Sequence, residues 1–150
     1  MNAKAAGVSS VLVVVAGAVL LANPAKAQSD LPEVASRSYA QNYKDLALAS
    51  CIARAYSDEP RAAADASATA AGLESTWTNY DLEKGAGEIS KLVNRYLART
   101  YNSIHGPQVR LDLLKCLDMY HSKELQAQVK RFVPTPGRTY KQDYPPTKQK

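Results

Sequence analysis

Four side chains in this 150-residue sequence are of the types used for thiol or metal chemistry: Cys51, Cys116, His105 and His121. A catalytic cysteine needs a free, accessible thiolate beside a base, and His121, five positions after Cys116, is the histidine nearest to either sulfur in sequence. Neither cysteine falls at a predicted helix N-terminus, the usual place for a stabilised thiolate. A zinc site from Cys51, Cys116 and His121 is weak for a related reason: five positions is not a favoured helical pairing. There is no G-x-S-x-G, no H-E-x-x-H, no glycine-rich phosphate loop and no supported carboxylate pair. The expectation is no catalytic residue, no cofactor and no metal. The remaining role for an even pair of cysteines is a disulfide, and that depends on the compartment.

Residues 1–27 read as an address. Lys4 gives a short positive start, residues 11–21 form an apolar core of 11, and Ala25-Lys26-Ala27 fits an A-x-A cleavage site. A membrane span needs about 20 apolar residues, so no stable anchor is expected. No cysteine follows the segment to carry a lipid. The reading is a mature chain of 123 residues from Gln28, exported to the periplasm. There a Cys51–Cys116 disulfide would close a loop of 65 positions, a constraint of about 4 kcal/mol in the chain-entropy account.

The formal charge of +5 is unevenly spread. Residues 130–150 carry six Lys and Arg and one Asp, whereas residues 28–129 carry 11 basic and 13 acidic residues. A mildly acidic body in an exported chain disfavours a nucleic-acid partner.

The elements that position these residues are all helical. Leu48, Cys51, Ile52, Ala55 and Tyr56 share one face of a first helix. Asp58 and Pro60 mark a stop and restart, with Asp58 or a neighbour as cap. Ala62, Ala66, Ala70 and Leu73 make a small-residue stripe in the second helix. Residues 75–80 form a connection, with Thr78 or Asn79 as cap. Trp77 there serves either as core cover or as an interface anchor. Leu82, Ala86, Ile89, Val93, Tyr96 and Leu97 define a third helix, weakened by Gly85 and Gly87. Pro107 suits the first turn of a fourth, striped by Val109, Leu113, Cys116, Leu117 and Tyr120. Ser122 caps a short fifth, bearing Leu125, Val129, Phe132 and Val133. Residues 28–133 are thus an all-α domain, a small bundle of four to five helices stapled by one disulfide. Residues 134–150, with four Pro, read as an extended, mobile basic tail.

The polar face of the third helix carries Lys84, Glu88, Lys91, Asn94, Arg95 and Arg99, which by composition is a solvated surface. His105 lies in the loop 102–106, solvated, and His121 suits a helix C-terminus. Ile104 is an apolar residue in an otherwise polar loop; it either packs back on its own domain or awaits a pocket in a partner.

The run Asp112-Leu113-Leu114-Lys115-Cys116-Leu117-Asp118-Met119-Tyr120-His121-Ser122-Lys123-Glu124-Leu125 resembles the type VI secretion amidase immunity proteins of the Tai4-like group. Asn42-Tyr43-Lys44-Asp45, Ala49-Ser50-Cys51-Ile52-Ala53 and Asp65-Ala66-Ser67-Ala68 agree with it. The likeness covers about residues 39–130. It departs at Ala70–Ser75, where a bulkier Trp-Leu-Glu pattern is expected and Trp77 stands in a shifted place. The resemblance implies a small, helical, periplasmic homodimer, forming a two-plus-two complex with an injected peptidoglycan-cleaving cysteine amidase and blocking its active-site groove. It implies a helix face and a protruding loop as the inhibitory surface, for which Lys84, Glu88, Lys91, Arg95, Ile104 and His105 are the candidates. The rival expectation is a general periplasmic helical adaptor or stress-response binding protein.

Overall fold

The computed structural model describes residues 31–106 and 108–145; the expected signal segment and residues 146–150 lie outside them. Among the described residues there are six α-helices and no strand. They are α1 (Tyr39–Ala55), α2 (Pro60–Gly72), α3 (Leu82–Leu97), α4 (Asp112–Tyr120), α5 (Lys123–Phe132) and α6 (Tyr140–Asp143). A single 3₁₀ turn, Glu33–Ser36, precedes α1.

The helix starts follow from local chemistry. The first amides of a helix lack intrahelical acceptors, and a short polar side chain supplies one. Ser38, Asp81, Ser122 and Thr139 accept from the amides of Gln41, Lys84, Leu125 and Gln142 at the starts of α1, α3, α5 and α6. Helix α2 begins instead at Pro60, which has no amide to satisfy.

Helix α1 lies at the centre, packed by α2, α3, α4 and α5. A helix covered on several sides is apolar over most of its surface. Tyr39, Tyr43, Leu46, Ala47, Cys51 and Ala55 are accordingly buried. They meet Leu92 and Val93 of α3, Met119 of α4, and Leu125, Val129 and Phe132 of α5 in one core. The expected disulfide is present: Cys51 and Cys116, both fully buried, are bonded with Cα atoms 5.7 Å apart, tying α1 to α4.

Three expectations are corrected. First, α4 does not start near Pro107, which lies outside the described residues. Leu111 has φ +53°, a left-handed conformation that no α-helix continues through, and α4 begins at Asp112. Its buried face is Lys115, Cys116 and Met119, while Val109, Leu113 and Leu117 of the expected stripe stand exposed together with Leu114. Second, α2 does not end in a plain connection. Its last turn widens into a π-turn, Leu73–Trp77, and the cap of α3 is Asp81 rather than Thr78 or Asn79.

Third, residues 134–145 are not a detached tail. They return to the start of α1, where the Tyr39 amide donates to the Arg138 carbonyl at 2.8 Å and the Ala40 amide to the Pro136 carbonyl at 3.0 Å. Ser38 and Thr139 form an antiparallel bridge, and the Tyr140 ring meets Trp77 edge-on at 4.9 Å. A proline-rich segment offers carbonyls with few competing amides, which suits it to cap another helix.

Candidate interaction surface

The two sulfurs are bonded to each other, so no thiolate is available at either position. His121 is the residue after the last turn of α4, edge-on to the Tyr120 ring at 5.1 Å. His105 is exposed in the loop, and no cluster of metal-ligating side chains occurs among the described residues. Trp77 is half-buried against the core, and its carbonyl accepts from the buried Asn42 amide at 2.6 Å. It is core cover.

Helix α3 turns Ile89, Leu92, Val93 and Tyr96 inward and presents Lys84, Glu88, Lys91 and Arg95 outward. These charges are laced into ion pairs: Lys84 with Asp81 at 2.9 Å, Lys91 with Glu88 at 2.7 Å and Arg95 with Glu124 at 3.4 Å. The Lys84 ammonium, hydrogen-bonded to Asp81, holds that carboxyl below its ordinary pKa. Lys91 does the same for Glu88. Exposed pairs of this kind contribute little stability, so the face stays free to exchange them for a partner's charges.

The loop 98–111 joins α3 to α4. Ile104, near its tip, is 94 % exposed. The alternative in which Ile104 packs back on its own domain is therefore excluded. The four α3 residues share one helix face; Ile104 and His105 stand apart from them on the loop that follows.

Two further features were not anticipated. Val109, Leu113, Leu114 and Leu117 line, with Tyr56, a hollow of about 480 Å³ beside the C-terminal end of the loop. Helix α4 is apolar on both sides, and spacing alone could not say which side faces water. A larger groove of about 1110 Å³ runs between α1 and the end of α2, lined by Leu48, Ile52, Leu73 and Trp77, with Arg37 and Asp45 paired at 3.2 Å on its wall.

The Tai4 family model, described as type VI secretion system (T6SS), amidase immunity protein, matches residues 41–129. No curated protein matches the chain. Two solved structures are similar. One comes from work on type VI-secreted toxins and self-resistance proteins in Serratia marcescens. It is 28 % identical, with a TM-score of 0.69 over 82 % of this chain and 98 % of that one. The other belongs to the effector–immunity system Tae4/Tai4 of Salmonella typhimurium. It is 27 % identical, with a TM-score of 0.59 over 67 % of this chain and 95 % of that one. The match runs from the first turn of α1 through most of α5, spans the disulfide that joins α1 to α4, and takes in more than half of the sequence: the chain belongs to the Tai4 family of type VI secretion system amidase immunity proteins.

Proposed function

We propose that this immunity protein acts in the periplasm, as a homodimer and without catalysis, by closing the active-site groove of a cognate peptidoglycan amidase of the Tae4 kind. The observation that carries the reading is Ile104, 94 % exposed on a 14-residue loop between two helices of the core. A large apolar side chain so placed contributes nothing to its own fold, and it is the kind of tip that fills a pocket in a partner. The outward charges Lys84, Glu88, Lys91 and Arg95 on α3, with His105 beside the tip, would flank that contact. Dimerisation rests on the family relationship, and export on the signal-like residues 1–27.

The test uses the chain from Gln28 and its cognate amidase in a peptidoglycan-digestion assay. Ile104→Asp, and separately Lys91→Glu with Arg95→Glu, should lose inhibition while melting as the parent does. Full inhibition by both variants would move the surface elsewhere. The groove between α1 and α2 favours the second reading, a periplasmic helical adaptor. In that case an amidase pull-down stays empty.

A further inference from the structure

Asn42 and Lys115 are the two buried polar side chains among the described residues. Asn42 bridges two backbone carbonyls, those of Val34 and Trp77. Lys115 is less readily explained. Its side chain is 9 % exposed, and a buried ammonium is costly unless its charge is met. An unbranched apolar residue would fill the same space on the inner side of α4 without that cost.

The acceptors of Lys115 point to its role. The ammonium donates to the Leu97 carbonyl at 3.2 Å and to the Asp112 carboxylate at 2.9 Å. Leu97 is the last residue of α3 and Asp112 the first of α4, so one side chain joins the two ends of the loop 98–111. The terminal carbonyls of a helix lack intrahelical donors and carry its negative pole, which makes Leu97 a natural acceptor for a cation.

The loop's shoulders are held as well. Arg110 pairs with Asp112 at 3.1 Å and Asp58 at 3.3 Å, and it donates to the Ala55 carbonyl at 3.4 Å. Tyr101 donates to Asp118, and the Arg99 guanidinium lies 3.5 Å from the Tyr96 ring centre. Beyond this neck the chain runs out to Ile104.

We propose that Lys115 is a positioning residue for the partner-binding loop: by closing the loop's neck from inside the fold, it fixes how Ile104 is presented to an amidase it cannot itself touch. The inference rests on the reading of that loop as the inhibitory surface. A segment already held in its bound shape loses less freedom on association, and the gain appears mainly as slower dissociation.

The experiment is a double-mutant cycle on amidase affinity. It uses the disulfide-bonded chain from Gln28 and the variants Lys115→Met, Ile104→Asp, both together, and Lys115→Arg. Lys115→Met alone should weaken binding about tenfold, mostly through faster dissociation, yet change affinity less than about twofold once Ile104→Asp is present. Lys115→Arg should recover part of the loss. Wild-type affinity for Lys115→Met, or the same loss in both backgrounds, overturns the proposal, since a general loss of stability would act without regard to Ile104. Wild-type affinity for Ile104→Asp overturns the loop reading and the proposal with it. If Lys115→Met does not fold, Asp112→Asn removes the carboxylate partner and carries the same cycle.

Discussion

The Tyr39 hydroxyl donates to the Asp143 carboxylate at 2.7 Å, joining the first turn of α1 to α6 across 104 positions of chain. Arg138 pairs with the same carboxylate, and its carbonyl receives the Tyr39 amide. The end of the described chain is therefore part of the cap on the central helix, although its composition reads as a tail.

Truncation after Val133 should consequently destabilise the fold. It removes two backbone acceptors from α1, the partner of the Tyr39 hydroxyl and the ring packed on Trp77. At about 1 kcal/mol for each hydrogen bond the loss is about 3 kcal/mol, and the melting temperature should fall by about 10–15 °C. An unchanged melt by circular dichroism would mean that the docked segment adds nothing to the fold.

Stability should also decline at alkaline pH. Burial, reinforced by the Asp143 hydrogen bond, pushes the Tyr39 phenol up to about 12. Burial likewise raises the phenols of Tyr43 and Tyr80. A raised folded pKa gives stability that is present below the unfolded value near 10 and lost as pH climbs through the folded one. Unfolding should therefore set in between about pH 10 and 12. The ring signals of Tyr39, Tyr43 and Tyr80, followed by NMR, should report ionisation with the loss of helical signal rather than before it. Ionisation of these three phenols at about pH 10 in a chain that stays folded would contradict this.

The acid limb has the opposite sign. The Tyr39 hydroxyl, and after it Arg138, holds the Asp143 carboxyl below its ordinary pKa. The contribution of Asp143 is present above about pH 4 and lost as pH falls through the depressed value. Tyr39→Phe should raise the Asp143 pKa in a carboxyl-detected NMR titration. No movement would show that Arg138 alone sets it.

Replacing both cysteines, Cys51→Ala with Cys116→Ala, removes a cross-link that closes 65 positions and should cost about 4 kcal/mol in urea unfolding. Alkylation of the unreduced mature chain should label neither sulfur. Two labelled thiols in periplasmic material would refute the bond.

The two glycines of α3 should respond in opposite directions to alanine. A Cβ at Gly85 would lie 2.9 Å from Cδ2 of Tyr80, a ring held edge-on to Tyr43 at 5.2 Å and by Glu74 at 2.8 Å. Gly85→Ala should cost about 1–3 kcal/mol. A Cβ at Gly87 meets nothing within 4 Å, so Gly87→Ala should gain up to about 1 kcal/mol in the same assay. Equal responses would contradict the close approach of Tyr80.

Several parts of the candidate surface were legible in the residues, each for a local reason. Lys84, Glu88, Lys91 and Arg95 recur at helical spacing opposite Ile89, Val93 and Tyr96, and charges so placed must face water. Ile104 stood out as an apolar residue among polar neighbours, but its exposure depends on whether the rest of the domain offers it a site, and none does. The outward leucines of α4 were not legible. Leu113, Leu114 and Leu117 on one side and Cys116 and Met119 on the other satisfy the same period.

The sequence by itself determined five of the six helical segments, where Pro60 and Ser122 start two of them, and that the two cysteines pair in an oxidising compartment. Those outcomes rest on spacing, caps and redox chemistry, which act within a few residues or on the chain as a whole. Tertiary structure decided the rotation of α4, the burial of Lys115 against Leu97 and the docking of residues 134–145. Each of these answers a demand made elsewhere in the chain: a sulfur partner 65 positions away, an unpaired terminal carbonyl on α3, or amides at the start of α1 that no neighbour in sequence can satisfy. Such demands exist only once the helices are packed, because packing removes the water that would otherwise have met them.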